Sequence, residues 1–313
     1  MKSQSIQPKM TTDVPPELAF QQGHTDSPPD LLIPEAKREQ PHILACTEVW
    51  GGNRKVTRSI KMPGLSGWVT SVPVNEKEGG DLHFLSVCDI DLISRVALAD
   101  VSGHGQEVSH ATRILHQLMR ENVNAWDQTE FMRELNRAFR KGGEGKYATA
   151  IFLSYHRLIG RLAFSNAGHL PPLWHQAATR IWRWLEEVPE PQSKKISGLP
   201  VGLIPGTDYV QTVVTLAPDD LLVLYTDGIT EAEDPSGQDL GRERLLDWAR
   251  LAPTDSPEAT GKAIMQRLQS FRGDARLDDA TLLVLRRERE SLPIVLGELT
   301  RSYATRQLRK IWK

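Results

Sequence analysis

Short runs of β-branched and aromatic residues, separated by turn residues, follow one another from His42 onward. In the first hundred residues these runs are VTRSI, GWVTSVPV, HFLSVC and SRVALAD. Runs of this length and composition are typical of β-strands, and their close spacing favours antiparallel pairing. The hydrophobic pattern therefore predicts an antiparallel sheet in this part of the chain.

The hydrophobic period changes after Gly105. Apolar residues now recur every three or four positions, which is the spacing of one helical face. The first stretch carries Val108, Ala111, Ile114, Leu115, Leu118 and Met119, and the second carries Phe131, Met132, Leu135 and Phe139. Apolar stripes of this kind usually pack against a sheet. We therefore predict two amphipathic helices that cover a sheet, and not a binding groove.

Strand-like runs resume after the second helix. They read YATAIFLSY, GRLAFSNAG, TRIWRWLEE, YVQTVVTL and DLLVLYTD, and a last one, DATLLVLRR, follows two helical stretches near 241–251 and 256–271. Runs of strands interrupted by pairs of helices indicate an α+β architecture in which helices cover antiparallel sheets.

Composition narrows the classes of function. The 313 residues carry a formal net charge of −2, so no overall positive field favours nucleic acid as a partner. Two cysteines, Cys46 and Cys88, form neither a disulfide framework nor a metal knuckle, which suits a reducing cytoplasm. Without an apolar leader or a long apolar run, we expect a cytoplasmic protein that does not span a membrane.

The two ends of the chain differ from its middle. Residues 1–41 hold seven of the twenty prolines among polar residues, and we predict a disordered Pro-rich arm. Residues 288–313 mix apolar and cationic residues, and we predict a basic, solvated and partly helical tail. The predicted folded domain therefore spans residues 42–287.

Aspartates recur beside glycines or at the ends of apolar strands. Asp81 follows two glycines, Asp100 and Asp227 end strand-like runs, and the pair Asp278 and Asp279 opens the last strand. Carboxylates in such places suit a hard cation such as Mg²⁺ or Mn²⁺. A turn or N-cap role is the simpler interpretation of each one alone, and spacing does not show that they meet.

Eight motifs, taken in order, resemble a known family. They are EGGD, ADVSGHG, YATAIF, SNAGHLPPL, GLPVGL, LLVLYTDGITEA, GRERLL and LDDATLLVLR. Together they resemble the bacterial SpoIIE/RsbU-type serine/threonine protein phosphatases of the metal-dependent PP2C-like superfamily. The resemblance covers roughly residues 42–287. It implies a PP2C-like α/β/β/α sandwich of two antiparallel sheets flanked by helices.

The resemblance also implies a site that holds two Mn²⁺ or Mg²⁺ ions between the sheets. Asp100 would bridge the ions, with the backbone carbonyl of Val101 as a further ligand. Asp227 and Asp278 would bind one ion, and Asp81 would serve the other directly or through water. Asp100 and Asp227 are the residues expected to be catalytic, and the chemistry would be phosphoester hydrolysis.

Several neighbouring residues are expected to support the site rather than to react. Asp279 is expected to lie behind the ligands, although the adjacent Asp278 leaves that choice open. His104 and His169 are expected to be structural, and Asn166 is expected to fix a turn through its side chain.

By family analogy, the expected substrate is a phosphoserine or phosphothreonine on a regulatory protein of a bacterial partner-switching pathway, such as a STAS-type anti-anti-sigma factor. Neither nucleic acid nor a membrane is an expected partner, and a homodimer is left open. The alternative is a catalytically silent domain of the same fold that binds a partner. Turnover of a generic aryl phosphate in the presence of Mn²⁺ distinguishes the two.

Overall fold

The computed structural model describes residues 40–301 except 46–47, 75–77, 89–90, 104–105, 122–126, 187–197, 274–277, 292 and 294. The predicted Pro-rich arm, apart from residues 40 and 41, lies outside the described residues. So do Cys46, His104 and the end of the predicted tail. The limits of the predicted domain therefore stay a prediction.

The regular structure of the described residues consists of thirteen strands and five helices, followed by a helical stretch over residues 295–301. The strands are β1 His42–Ile43, β2 Val49–Gly52, β3 Val56–Met62, β4 Leu65–Val72, β5 Asp81–Val87, β6 Ile93–Val101, β7 Ala148–His156, β8 Arg161–Ala167, β9 Leu173–Gln176, β10 Ile181–Trp184, β11 Thr212–Thr215, β12 Leu221–Tyr225 and β13 Ala280–Arg287. The helices are α1 Gln106–Glu121, α2 Gln128–Gly142, α3 Asp227–Thr230, α4 Gly241–Leu251 and α5 Pro257–Arg272.

The strands form two sheets. The first sheet has the order β1-β3-β4-β13-β12-β9-β10, and the second has the order β11-β8-β7-β6-β5-β2. Neighbouring strands pair in antiparallel fashion, except that the two-residue β1 runs parallel to β3. The prediction of two antiparallel sheets is confirmed, with this one short parallel pairing as a difference.

Three apolar clusters stack the elements into four layers. Alternate residues of both sheets, among them Leu98 and Leu283, fill the space between the sheets. The outer face of the first sheet packs on α4 and α5 through residues such as Trp68 and Ile264. The outer face of the second sheet packs on α1 and α2 through residues such as Phe139. This is the predicted α/β/β/α sandwich.

Local sequence explains where the helices begin. The Asp127 carboxylate accepts hydrogen bonds from the backbone N–H groups of Thr129 and Glu130 at the start of α2. The Ser256 hydroxyl accepts one from the Ala259 N–H before α5, which has proline in its first turn. None of the described helices is both long and apolar enough to cross a membrane.

Candidate active site

Asp81 and Asp100 lie directly opposite each other in the second sheet, on β5 and β6. Side chains alternate along a strand, so Asp81 shares a face with Leu85 and Asp100 shares one with Leu98. Both leucines belong to the core between the sheets. The two carboxylates therefore point toward the first sheet, and directly opposed residues have Cβ atoms about 5 Å apart.

Thr226, which follows β12 of the first sheet, reaches across to this pair. Its hydroxyl donates to Oδ2 of Asp81 at 2.7 Å and accepts from the backbone N–H of Thr281 at 2.9 Å. The other Asp81 oxygen, Oδ1, is buried and has no hydrogen-bond partner. A buried carboxylate oxygen without a partner is costly, so this atom is suited to a positively charged ligand.

Asp227 and Asp278 bring further negative charge to the same place from the first sheet. Burial, followed by the charges of Asp227 and Asp278, raises the pKa of Asp100 to about 7. Burial also raises the pKa of Asp81, with Asp100 as the next contribution. Burial and the neighbouring Asp278 raise the pKa of Asp227. The four aspartates thus form one mutually repelling cluster at the edge of both sheets.

Asp279 has a different role from its neighbour. Its Oδ1 accepts from the backbone N–H of Val74 at 2.7 Å, and its Oδ2 accepts from the backbone N–H of Gly80 at 2.5 Å. Both oxygens are therefore used to hold the chain that leads into Asp81. These bonds favour Asp278 over Asp279 as a cation ligand.

Two glycines permit close approach in the cluster. A Cβ atom on Gly80 would lie 3.0 Å from the Val101 carbonyl oxygen and 3.3 Å from Oδ1 of Asp100. A Cβ on Gly228 would lie 2.0 Å from the Asp279 carbonyl oxygen, which no side chain tolerates. Glycine is therefore required at Gly228 by its contact with the backbone of Asp279, and at Gly80 it allows the chain to lie close to Asp100 and Val101.

The donor set fits a hard divalent cation. Carboxylate oxygens together with a backbone carbonyl are the ligands that Mg²⁺ and Mn²⁺ prefer. The partnerless oxygen of Asp81 and the raised pKa values of the cluster are both relieved by positive charge. Within the described residues, no three or more His, Cys, Asp or Glu side chains are arranged to hold a metal ion as they stand.

His169 and Asn166 support the loop beside the cluster. The Asn166 side chain accepts from the His169 N–H at 2.7 Å and donates to the His169 carbonyl at 2.8 Å, which closes the predicted turn. The His169 ring pairs through Nδ1 with the hydroxyl of Thr149, the residue opposite Asp100 on β7. Burial lowers the pKa of His169 to about 4, so the ring is neutral at pH 7. These contacts agree with a structural role.

Thr226 was not among the predicted site residues. The sequence did carry one signal for this residue: Thr226 stands directly between the apolar run LLVLY and Asp227, so a hydroxyl lies where the apolar run would otherwise continue. Thr226 has no exposed surface, and a buried hydroxyl requires a partner.

A layered sandwich of this kind with an acidic cluster at one edge is the PP2C-like class. The family model for Stage II sporulation protein E (SpoIIE) matches residues 94–288. The chain belongs to this family, as the motifs predicted.

Curated relatives match different shares of their own length. Phosphoserine phosphatase RsbU from Bacillus subtilis is 26% identical over 254 residues, which is 80% of this chain and 72% of RsbU. Phosphoserine phosphatase RsbP from the same organism is 28% identical over 142 residues, which is 44% of this chain but only 33% of RsbP.

Solved structures share the fold. The RsbU and RsbW domains of Rv1364c from Mycobacterium tuberculosis give a TM-score of 0.63 at 22% identity, covering 76% of this chain and 64% of that one. The PP2C phosphatase domain with a regulatory fragment of SpoIIE from Bacillus subtilis gives a TM-score of 0.58 at 15% identity, covering 78% of this chain and 72% of that one. RsbX in complex with magnesium gives a TM-score of 0.52 at 18% identity, covering 74% of this chain and 99% of RsbX.

Proposed function

We propose that this chain is a metal-dependent protein phosphatase that hydrolyses phosphoserine or phosphothreonine on a regulatory protein. The observation that carries the proposal is the meeting of Asp81 and Asp100 from one sheet with Asp227 and Asp278 from the other, around a buried Asp81 oxygen that has no partner. Two relatives named phosphoserine phosphatases support the reaction. A structural neighbour solved with magnesium supports the cofactor.

Each ligand has a defined place in the proposal. Two Mn²⁺ or Mg²⁺ ions would be held by Asp100, which would contact both, with the Val101 carbonyl as a further ligand. Asp227 and Asp278 would bind one ion, and Asp81 would serve the other directly or through water. When bound, the ions lower the pKa of a water molecule and stabilise charge on the phosphoryl oxygens.

The surrounding residues hold these ligands in position. Thr226 fixes one oxygen of Asp81, which leaves the other directed to the cluster. Asp279 anchors the backbone of Gly80 beside Asp81. Burial lowers the pKa of His169 to about 4, so at pH 7 the ring is not the imidazolium that would act as a general acid toward a leaving alkoxide. The proposal therefore assigns protonation of the leaving group to solvent rather than to this histidine.

The proposed substrate is a cytoplasmic phosphoprotein of a bacterial partner-switching pathway, and a STAS-type anti-anti-sigma factor is the preferred candidate. RsbU and RsbP support it as relatives. The Rv1364c structure, which joins an RsbU domain to an RsbW domain, supports a role beside such partners.

The test is turnover of three substrates with Mn²⁺: an aryl phosphate, a phosphoserine peptide and a serine-phosphorylated STAS-domain protein. We expect Asp100→Asn and Asp227→Asn to lower the rate by about 100-fold or more, because each removes charge that holds the ions. Asp247→Asn, on the exposed face of α4, is the matched control and should keep full activity.

Two results would contradict the proposal. Metal binding without turnover of any substrate would favour the silent scaffold. Full activity of Asp100→Asn would show that the cluster is not where phosphate is hydrolysed. Turnover of the peptide but not of the STAS-domain protein would reject only the proposed substrate.

A further inference from the structure

A second polar pocket lies at the opposite end of the first sheet from the aspartate cluster. It has a volume of about 450 Å³ and is formed by the β9–β10 turn, the end of α4, the start of β12 and the end of β13. β12 pairs with β13 from Leu221 opposite Arg286 to Tyr225 opposite Leu282. Asp227 and Asp278 lie beyond the far end of that pair, eight residues along the chain from Asp219 and Arg286, so at about 3.3 Å per residue the two places are separated by roughly 20–25 Å.

Positive charge dominates the lining of this pocket. Arg180, Arg250 and Arg286 line it, and Asp219 is its one carboxylate among the described residues. Asp219 is already engaged, because Arg286 and Arg289 both form ion pairs with it. Although burial opposes ionisation, the hydrogen bonds and charges of these arginines hold the pKa of Asp219 below its usual value.

Two of the arginines are available to a ligand. Arg250 is 55% exposed and has one surface ion pair, with Asp247 at 2.8 Å. Exposed pairs of this kind are weak and exchange readily. Arg180, in the β9–β10 turn, is exposed and has no ion-pair partner among the described residues. The pocket thus has more cationic than anionic groups.

Two residues that line this pocket each have a buried polar atom without a hydrogen-bond partner. His175 lines the pocket, is only 5% exposed, and its Nδ1 has no hydrogen-bond partner. Nε of Arg286 is likewise buried without a partner. Leaving such atoms unpaired costs stability, so a bound acceptor would satisfy them. Burial lowers the pKa of His175, and its neutral ring donates from one nitrogen.

We infer that this pocket binds a phosphate-class oxyanion, either free or as the head of a small phosphate ester. Arg180 and Arg250 supply guanidinium groups, whose fork of N–H donors matches phosphate oxygens. The terminal nitrogens of Arg286 already bind Asp219 and the Asp255 carbonyl, so Arg286 contributes its Nε–H, and His175 contributes a ring nitrogen. The volume is in the range of small-ligand pockets. This site is separate from the metal cluster and does not depend on the proposed phosphatase activity.

Calorimetric titration of the full chain tests the inference. The titrants are inorganic phosphate, glycerol phosphate and chloride, with a chelator present so that the acidic cluster repels rather than attracts phosphate. We expect one saturable site for phosphate, for glycerol phosphate or for both, and none for chloride. Arg180→Gln and Arg250→Gln should each weaken binding about tenfold, because each removes a charged hydrogen-bond donor.

Arg137→Gln is the matched control, because Arg137, like Arg250, is exposed and pairs with an acid three residues earlier in its helix, but lies on α2, which covers the second sheet. It should bind as the wild type does. Binding of the ester alone would identify an esterified phosphate as the ligand, and binding of both would identify the phosphate group itself. The inference is overturned if neither titrant binds, or if both arginine variants bind with unchanged affinity.

Discussion

At the scale of single residues, Thr226 joins the two halves of the candidate site with two hydrogen bonds. It accepts from the Thr281 backbone in its own sheet and donates to Asp81 in the other. Because both bonds are buried, neither partner can turn to water if the hydroxyl is lost. The orientation of Asp81 therefore depends on a side chain that carries no charge.

Thr226→Val tests this dependence. Valine keeps the shape of threonine but leaves an Asp81 oxygen and the Thr281 N–H unpaired, so we expect a loss of about 1–3 kcal/mol in the free energy of unfolding. Mn²⁺ affinity should fall as well, because Asp81 loses its fixed orientation. Urea unfolding and Mn²⁺ titration measure the two effects. Thr226→Ser is the control, and a valine variant as stable as the serine variant would contradict this role.

The sequence predicted the candidate metal ligands better than it predicted the residues that hold those ligands in position. Asp100 and Asp227 were recognisable because an acid at the end of an apolar run is conspicuous, whereas a threonine such as Thr226 is common in strands. The resemblance implied Asp278 as a ligand and Asp279 behind it, but the choice was left open because adjacent carboxylates look alike in sequence. The backbone bonds of Asp279 now separate them.

At the scale of elements, long periodic stretches were predicted correctly and very short ones were missed. Helices α1, α2, α4 and α5 follow the predicted stripes. The strand β9, of four residues, was missed because its sequence LWHQ follows two prolines and shows no alternation. The run DLLVLYTD was predicted as one strand, but β12 ends at Tyr225 and Asp227 begins the single turn α3. A helix is recognised in a sequence by apolar residues that recur over at least two turns, and the four residues of α3 are too few for that.

Part of the predicted tail packs against the domain. Arg157, in the β7–β8 turn, has a side chain only 5% exposed and binds Glu290 at 2.5 Å and Glu298 at 2.6 Å. Val295, between these acids, is 4% exposed. The predicted helical character agrees with residues 295–301, and most of these residues are exposed, so the contacts with the domain are confined to a few side chains. A buried arginine must find carboxylates, and the sequence did not indicate which ones.

The carboxylates of Glu290 and Glu298 should contribute unequally to the stability of the fold. Glu290 accepts from both Nε and a terminal nitrogen of Arg157 and is 22% exposed, whereas Glu298 accepts once and is 48% exposed. We expect Glu290→Gln to lower the free energy of unfolding by about 2 kcal/mol, and Glu298→Gln by less than about 1 kcal/mol. Urea unfolding of full-length variants at pH 7.5 measures both.

Glu134→Gln is the matched control for this pair of variants. Its carboxylate pairs with Arg137 on the exposed face of α2, so its loss should cost about 0.5 kcal/mol or less. A Glu290 variant no less stable than the Glu134 variant would show that the terminal segment does not contribute through Arg157.

At the scale of the whole molecule, the candidate site spans the two halves of the sandwich. Asp81 and Asp100 lie in the second sheet, and Asp227 and Asp278 adjoin strands of the first. Residues so far apart in sequence meet only because the sheets stack, so their meeting could not be derived from spacing. The resemblance implied it, and the register and electrostatics of the structure now support it.

This arrangement couples cation binding to the stability of the whole fold. Repulsion among the aspartates opposes folding without metal, and the unfolded chain offers no assembled site. A Mn²⁺ concentration of 100 Kd should therefore add about 2.7 kcal/mol, or roughly 5 °C or more in Tm. Asp100→Asn removes one repelling charge and the proposed bridge. At pH 8 its metal-free form should melt at or slightly above the wild-type temperature, and Mn²⁺ should raise that temperature far less. Thermal melts with Mn²⁺ and with chelator measure both melting temperatures. Asp247→Asn is the control and should respond to Mn²⁺ like the wild type. An equal rise in Tm with Mn²⁺ in the wild type and in Asp100→Asn would exclude Asp100 as the bridging ligand.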